Sequence, residues 1–403
     1  MRRSISKLFL EFFKSEQFSG IVLIICTVTS LLLANSIFGK QYSEFWHTQI
    51  GLDFGWLSIK YSIDHWVNDG LMAIFFLLIG LEIERELYIG ELSDIKNAAL
   101  PIFAAVGGMI TPALIHFLIN RGTETQAGFG IPMATDIAFA LGILALLGKR
   151  VPLALKVFLT ALAITDDLGA ILVIALFYVG DFSLGFFLAA IAVFAGLLIL
   201  NRLGIRKLSY YLIPGVIMWY FMLRSGVHAT ISGVLLAFAI PFVRGKEISP
   251  SYQLQHFLHK PVALFIMPLF ALANTGIVLS SNWVSGLISL NSIGIFAGLV
   301  LGKPLGILSF SYLSTKLGLA RLPRSVNWKQ ITGAGLLGGI GFTMSILITI
   351  LAFSDPVLIE GSKIAVLFSS LIAGIAGFVV LKWVTRRKEH KRYSEPDAKL
   401  VDD

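Results

Sequence analysis

The sequence predicts an all-α integral membrane protein of about twelve transmembrane helices, and three observations carry that expectation. Of its 403 residues, 56% are hydrophobic and only 14% charged, with a mean hydropathy of +0.82, whereas soluble globular chains are nearer a quarter charged. The apolar residues fall in blocks of about twenty, the length of helix that crosses ~30 Å of hydrocarbon. Backbone groups in lipid must pair internally, which leaves helices or closed barrels, and the alternating segments of a barrel do not occur here.

The twelve predicted spans are Gly20–Ile37, Asn68–Tyr88, Ala98–Ile119, Ala127–Gly148, Pro152–Tyr178, Leu184–Leu200, Leu208–Leu223, Gly226–Val243, Pro261–Leu279, Ile293–Leu313, Ile331–Phe353 and Ile364–Leu381. The second and fourth are interrupted by charges. Of the 32 lysines and arginines, only Lys40, Lys60, Arg121, Arg224 and Lys363 fall in odd-numbered loops, and Lys156 and Lys303 lie within spans. The rest sit in the N-terminus, the even-numbered loops and the tail, counting Arg85 at the end of the second span with the loop that follows it. By the positive-inside rule this puts both termini in the cytoplasm and requires an even number of crossings. The net charge of +8 therefore sets topology and calls for no nucleic-acid partner. The chain is thus expected to cross its membrane many times.

No linker divides the chain, which reads as a single integrated membrane domain over residues 1–403: a cytoplasmic N-terminus (1–19), a twelve-span body (20–381) and a basic cytoplasmic tail (382–403). The N-terminus mixes Glu11, Lys14 and Glu16 with Leu8, Leu10, Phe12 and Phe13, which suits an amphipathic surface helix better than a secretory signal. Residues Phe38 to Val67 form the longest loop, predicted to be a small periplasmic hairpin or cap. The basic residues Arg386, Arg387, Lys388, Lys391 and Arg392 read as a solvated end. Cys26, the single cysteine, excludes an internal disulfide and any cysteine-based metal cluster. No motif calls for a cofactor.

Ionisable groups within spans are the informative ones, because each costs roughly 2.5–3.5 kcal/mol at the bilayer centre even on the mildest scale. Asp166 and Asp167 lie in Leu162-Ala163-Ile164-Thr165-Asp166-Asp167-Leu168-Gly169, about 21 Å along their span at ~1.5 Å per residue. Adjacent helix positions point about 100° apart, so one carboxylate can face an aqueous cavity while the other reaches a neighbouring helix. Two close carboxylates resist joint ionisation. Such a pair can hold a proton and surrender it to a cation; two acids capping a broken helix is the plainer alternative. Asp136 is also central to its span, and Gly128, Gly130 and Pro132 precede it. This suggests a helix broken around Thr135-Asp136, whose freed carbonyls and Thr135 hydroxyl could ligate a hard cation. Asp136 could equally be an N-cap for the second half-helix.

Lys303 lies ten residues into its span, in Leu301-Gly302-Lys303-Pro304-Leu305-Gly306, and needs a carboxylate partner; Asp166 or Asp167 is the obvious one, in a working or purely structural salt bridge. The stretch Gly333-Ala334-Gly335-Leu336-Leu337-Gly338-Gly339-Ile340-Gly341-Phe342-Thr343 implies close helix packing or a second unwound segment. Spans four and eleven are an odd number apart and so oppositely oriented. Two crossed, interrupted helices in inverted repeats, spans 3–5 against 10–12, form a transporter signature.

These residues resemble those of bacterial NhaA-type sodium/proton antiporters, an architecture in which inverted repeats with discontinuous helices are known. The resemblance is carried by Ala134-Thr135-Asp136-Ile137-Ala138-Phe139-Ala140-Leu141-Gly142, by Thr165-Asp166-Asp167-Leu168-Gly169-Ala170, by Gly302-Lys303-Pro304-Leu305-Gly306 and by Gly339-Ile340-Gly341-Phe342-Thr343-Met344-Ser345. A further match is Asn68-Asp69-Gly70-Leu71-Met72-Ala73-Ile74-Phe75-Phe76-Leu77-Leu78-Ile79-Gly80-Leu81-Glu82, and the likeness runs from about Lys14 to Trp383. It implies a secondary active transporter of a bacterial inner membrane, not an enzyme, that exports Na+ and also Li+ in exchange for H+. It implies Asp167 as the principal ion- and proton-binding carboxylate, with Asp166 assisting it and exchanging a salt bridge or proton with Lys303. Thr135 and Asp136 would tune binding at the crossing of the unwound helices, which includes Gly338, Gly339, Gly341, Phe342 and Thr343. Glu82, Arg85, Glu86, His228, His256 and His259 would respond to pH. By the residues alone, His256 and His259 read as ordinary loop residues or as weak metal ligands. Gln255 and Glu84 depart from the family pattern, the first replacing an acid and the second a base. Thr165 replaces an aliphatic residue and could join the site or bond back to its own helix.

The competing readings are a sodium-coupled solute symporter, an intramembrane aspartyl protease and a passive channel. No Gly-x-Gly-Asp arrangement surrounds Asp136 or Asp166, which disfavours the protease, and an unpaired Lys303 would obstruct a cation channel. A homodimer and a monomer both remain open.

Overall fold

In the computed structural model the described backbone covers residues 2–53, 58–243, 249–278 and 286–393. Side-chain packing is described between residues 18 and 385, apart from residues 52–58, 91, 95–97, 149 and those gaps. The expected amphipathic N-terminus and basic tail have side chains that fall largely outside these limits. Almost all of the rest is helix: α1 (Arg2–Ala34), α2 (Gly39–His47), α3 (Ile63–Tyr88), α4 (Ile95–Ile119), α5 (Ile137–Leu146), α6 (Leu153–Phe177), α7 (Leu184–Arg202), α8 (Ser209–Arg224), α9 (Thr230–Ala239), α10 (Pro250–Asn274), α11 (Leu290–Lys316), α12 (Trp328–Gly338), α13 (Phe342–Ala352) and α14 (Pro356–Tyr393).

Among the described residues, seven helices are long and apolar enough to cross a membrane, or ten if each bent helix pair is one span. Helices α8 and α9, which cover the predicted seventh and eighth spans, fall short of that length. Apolar residues such as Leu188 and Ile199 on α7 and Val216 on α8 are exposed, as a surface solvated by lipid requires. The loop between the first two spans contains both α2 and an antiparallel hairpin, β1 (Gln49–Asp53) with β2 (Ser58–Ser62), paired from Gln49 opposite Ser62 to Asp53 opposite Ser58. Helix α2 turns by 113° from α1.

The predicted ninth span needs correction. Its helix begins at Pro250 rather than at Pro261, so His256 and His259 lie on α10 and not in a loop. Ser249 accepts a hydrogen bond from the Tyr252 N–H, and Pro250 follows at the first helical position, a standard helix start. The helix passes Pro261 because its ladder widens into a π-turn over Val262–Ile266. A similar turn over Ala297–Gly302 lies just before Lys303-Pro304 in α11, where the proline lacks a backbone donor.

Glycines let the helices around the centre approach closely. A Cβ on Gly306 of α11 would collide with the Gly107 backbone of α4, and one on Gly107 would collide with the Gly306 carbonyl. Between helices in lipid, such small-residue contacts are what packing selects. Overpacking a tight core contact typically costs about 1–3 kcal/mol, so Gly306→Leu should lower the thermal unfolding midpoint of the purified protein clearly. Gly185→Leu, where a side chain meets open space, should leave it unchanged; equal effects would show that this contact is not tight.

Candidate functional site

Two helix breaks meet at the centre of the fold. The 3-10 segment Glu124–Met133 and α5 are offset by 43° across residues 134–136, and α12 and α13 by 45° across residues 339–341. Pro132 has no N–H to continue a helix, and the stretch from Gly338 to Gly341 carries little helix propensity. The breaks touch directly, since the Asp136 N–H donates to the Ile340 carbonyl at 2.6 Å.

Each exposed helix end is met by a side chain. Asp136 Oδ1 accepts from the Phe139 N–H at 3.1 Å, capping α5. Its Oδ2 accepts from the Thr343 N–H at 3.2 Å and the Thr343 hydroxyl at 2.5 Å, at the N-terminus of α13. One carboxylate therefore serves two positive helix ends. The negative ends are served by donors. Lys303 Nζ donates to the Met133 carbonyl, and the Thr135 hydroxyl lies 2.9 Å from the Gly338 carbonyl. Ser345 donates to the Ile131 carbonyl at 2.6 Å, while Ser370 on α14 accepts from the Phe342 N–H at 3.1 Å.

The paired aspartates on α6 have separate surroundings. Asp166 Oδ2 lies 2.5 Å from Lys303 Nζ and 2.7 Å from the Thr135 hydroxyl. Thr135 has one proton to share between Asp166 and the Gly338 carbonyl. Lys303 and Asp166 are both wholly buried, and isolated charges there would be prohibitively costly. Asp167, about 100° further round the helix, lines a cavity with Thr135, Asp136 and Thr343; Asp166 and Lys303 do not line it. Asp167 Oδ1 is buried with no hydrogen-bond partner among the described residues. Thr165 points elsewhere and bonds back to the Ala161 carbonyl at 2.8 Å, the plainer of its two readings.

The same cavity is lined by Glu82 of α3 and His259 of α10, whose Oε1 and Nδ1 are 4.0 Å apart. Gln255 hydrogen-bonds Glu82, and Ser251 donates to Glu84 at 2.7 Å. The two departures from the family pattern thus both lie in the α3–α10 contact, each bonded to a different partner. Arg85 pairs with Glu86 at 2.9 Å, and His256 is exposed. His228 lies apart from this group, in the turn before α9, where it hydrogen-bonds the Tyr178 backbone about 16 Å along α6 from Asp167 at ~1.5 Å per residue. Sequence reasoning missed Ser345 and Ser370 as supports of the break. Ser345 sat within a quoted motif, but nothing marked Ser370. Tyr178 was missed too: its hydroxyl donates to the Ala127 carbonyl at 2.8 Å and accepts from the Gly130 N–H at 3.1 Å, pinning the segment before the break.

Residues 10–381 match the family model described as Na+/H+ antiporter 1. The chain is 60% identical over 382 residues to the Na+/H+ antiporter NhaA of Flavobacterium psychrophilum, covering 95% of this chain and 97% of that protein. It is 59% identical to the protein of the same name from Dechloromonas aromatica, over 94% of this chain and 96% of the other. For the Oleidesulfovibrio alaskensis protein of that name the figures are 45% identity, with 95% of each chain covered.

The double cap at Asp136 generates a stability prediction. Removing one helix cap costs about 0.5–2 kcal/mol, so Asp136→Ala, which uncaps α5 and α13 together, should lower the unfolding midpoint more than Asp136→Asn, which keeps an acceptor. Thermal unfolding of the two purified variants compares them directly, and equal midpoints would contradict the double cap.

Proposed function

Because the chain belongs to the Na+/H+ antiporter 1 family, we propose that it carries sodium out of the cell in exchange for protons at Asp167, with Asp166 and Lys303 as the coupled pair beside it. Sodium/proton exchange across a membrane is the activity itself. The observation that supports this placement is the division between the two aspartates: Asp167 lines the cavity, whereas Asp166 is engaged by Lys303.

A buried carboxylate can be neutralised by a proton or by a cation, but the two compete for the same negative charge. Asp167 offers oxygens to a hard ion beside those of Thr135, Asp136 and Thr343. A cytoplasmic sodium ion entering past Glu82 and His259 displaces the proton, and the cavity then closes on that side and opens on the other. Periplasmic protons displace the ion and return the site. When Asp166 turns toward the ion, Lys303 loses its partner and sheds its own charge, which gives the cycle a second proton. Two protons returning per sodium make exchange electrogenic. An inside-negative potential then drives extrusion by about 2.3 kcal/mol per net charge for each 100 mV. Lithium has the same charge and suits the same oxygen ligands.

In this reading the chain crosses a bacterial inner membrane twelve times with both termini in the cytoplasm, α8 and α9 counting as spans seven and eight. Spans 3–5 and 10–12 are the inverted repeats that carry the crossing. Glu82, Arg85, Glu86, His256 and His259 adjust entry with pH, and His228 acts from the opposite end. The sodium-coupled symporter alternative is not supported: the relatives are named as antiporters.

In everted membrane vesicles, sodium and lithium should each dissipate a preformed proton gradient, and Asp167→Asn should abolish the response while the protein still reaches the membrane. Full exchange in that variant would remove Asp167 from the site. Across pH values where the protein is active, the apparent affinity for sodium should fall at least tenfold for each unit of acidification, and up to about a hundredfold where both protons compete, the mass-action slopes for one and two protons. A flat profile would mean that sodium and protons do not share a group.

A further inference from the structure

The segment that leads into the first break, Glu124–Met133, is a 3-10 helix of ten residues, and 3-10 runs longer than about three or four residues are uncommon. Its backbone rises about 2.0 Å per residue against about 1.5 Å for an α-helix, so each residue that converted to α would shorten the segment by about 0.5 Å. Four such residues would shift Thr135 by about 2 Å. The Thr135 hydroxyl lies 2.7 Å from Asp166 and 2.9 Å from the Gly338 carbonyl, and hydroxyl hydrogen bonds fade beyond about 3.0 Å. The geometry at the centre therefore depends on the segment keeping its extended form.

Tyr178 is placed to keep it so. It is buried at the end of α6, the helix that carries both aspartates. Its hydroxyl donates to the Ala127 carbonyl at 2.8 Å and accepts from the Gly130 N–H at 3.1 Å. A carbonyl and the N–H three residues on are the pair that a 3-10 turn brings together. In an α-helix the Ala127 carbonyl would receive the Ile131 N–H instead, and the Gly130 N–H would reach Gln126. A hydroxyl seated between residues 127 and 130 thus selects the 3-10 form. Glycine admits it, since a Cβ on Gly130 would lie 2.5 Å from the hydroxyl oxygen. Gly130 stands three residues before Met133, whose carbonyl receives Lys303, and five before Thr135. Helix α6 grips the segment twice, at Thr135 through Asp166 and again through Tyr178, about 18 Å further along at ~1.5 Å per residue.

We propose that Tyr178 is a positioning residue for the exchange: its hydroxyl holds residues 124–133 in the 3-10 form and so sets Thr135 and the Met133 carbonyl level with Asp166 and Lys303. The inference rests on the ion-site reading above, in which Thr135 offers an oxygen beside Asp167. A packing role for the tyrosine ring is separable from it. The ring stacks on Phe129 with centroids 6.1 Å apart, and Phe129 meets Phe177 edge-on at 5.3 Å; neither contact involves the hydroxyl.

The test measures the sodium dependence of exchange in everted vesicles and the unfolding midpoints of the purified full chain. Tyr178→Phe and Gly130→Ala remove the same contact from its two sides. Each should raise the sodium concentration for half-maximal exchange about fivefold, the effect of one displaced hydrogen-bonding oxygen, with a smaller change in maximal rate. Their effects should not add, so the double variant should match the larger single one. Phe129→Leu, which loosens the ring contacts and spares the hydroxyl, should keep the native half-saturation whatever its midpoint. Should Gly130→Ala not fold, Tyr178→Phe against Phe129→Leu decides alone. Native half-saturation in Tyr178→Phe, with or without a lower midpoint, would overturn the proposal. So would an equal rise in Phe129→Leu, or full additivity in the double variant. Asp167→Asn in the same vesicles keeps the two readings apart: exchange surviving there removes the ion-site reading, whereas exchange lost there with native half-saturation in Tyr178→Phe removes this inference alone.

Discussion

Backbone groups freed from a helix in the middle of a membrane find no partner in lipid, and this protein frees them twice at one place. That constraint accounts for most of the polar residues at its centre. Asp136 answers the N–H groups of α5 and α13, Lys303 and Thr135 answer the carbonyls of Met133 and Gly338, and Ser345 and Ser370 secure the flanks. Opposite helix ends are matched by opposite charges, as the dipoles demand.

The arrangement of the aspartates follows from those supports. Lys303 is drawn to the Met133 carbonyl, which brings its ammonium against Asp166, the one buried carboxylate it pairs with among the described residues. The close approach of α4 and α11 at Gly107 and Gly306 sets where that lysine can reach. Helix geometry then turns Asp167 away from Lys303 and toward the cavity. In the proposed exchange this matters because a carboxylate already neutralised by an ammonium has little left for a cation, whereas Asp167 retains its full demand. Scaffold and proposed ion site are thus built from the same few groups, and a change in protonation at one bears on the other.

Much of this was legible in the chain. Apolar blocks of spanning length announced a helical membrane protein, and the acids and the lysine inside those blocks were conspicuous because lipid penalises them. Gly128, Gly130 and Pro132 marked the neighbourhood of one break, and the glycines before Phe342 the other. Other features were hidden for identifiable reasons. Sequence alone could state that Asp166 and Asp167 face apart, but which of them meets Lys303 depends on how α11 packs on α4. The extra turns of α10 before Pro261 were masked by Gln255, His256, His259 and Lys260, which depress hydropathy, although Ser249-Pro250 is a helix start in plain view. Ser370 carried no signal, because a serine in an apolar helix usually bonds its own backbone.

The central claim is that one buried carboxylate holds either a sodium ion or a proton. Proton release on adding sodium to the purified protein in weakly buffered solution tests this most directly, because it requires no vesicles, gradient or turnover. The account predicts that sodium releases protons from the native chain and none from Asp167→Asn, with the folded state of both verified by their unfolding midpoints. Sodium binding without proton release, or release that survives the loss of Asp167, would contradict it.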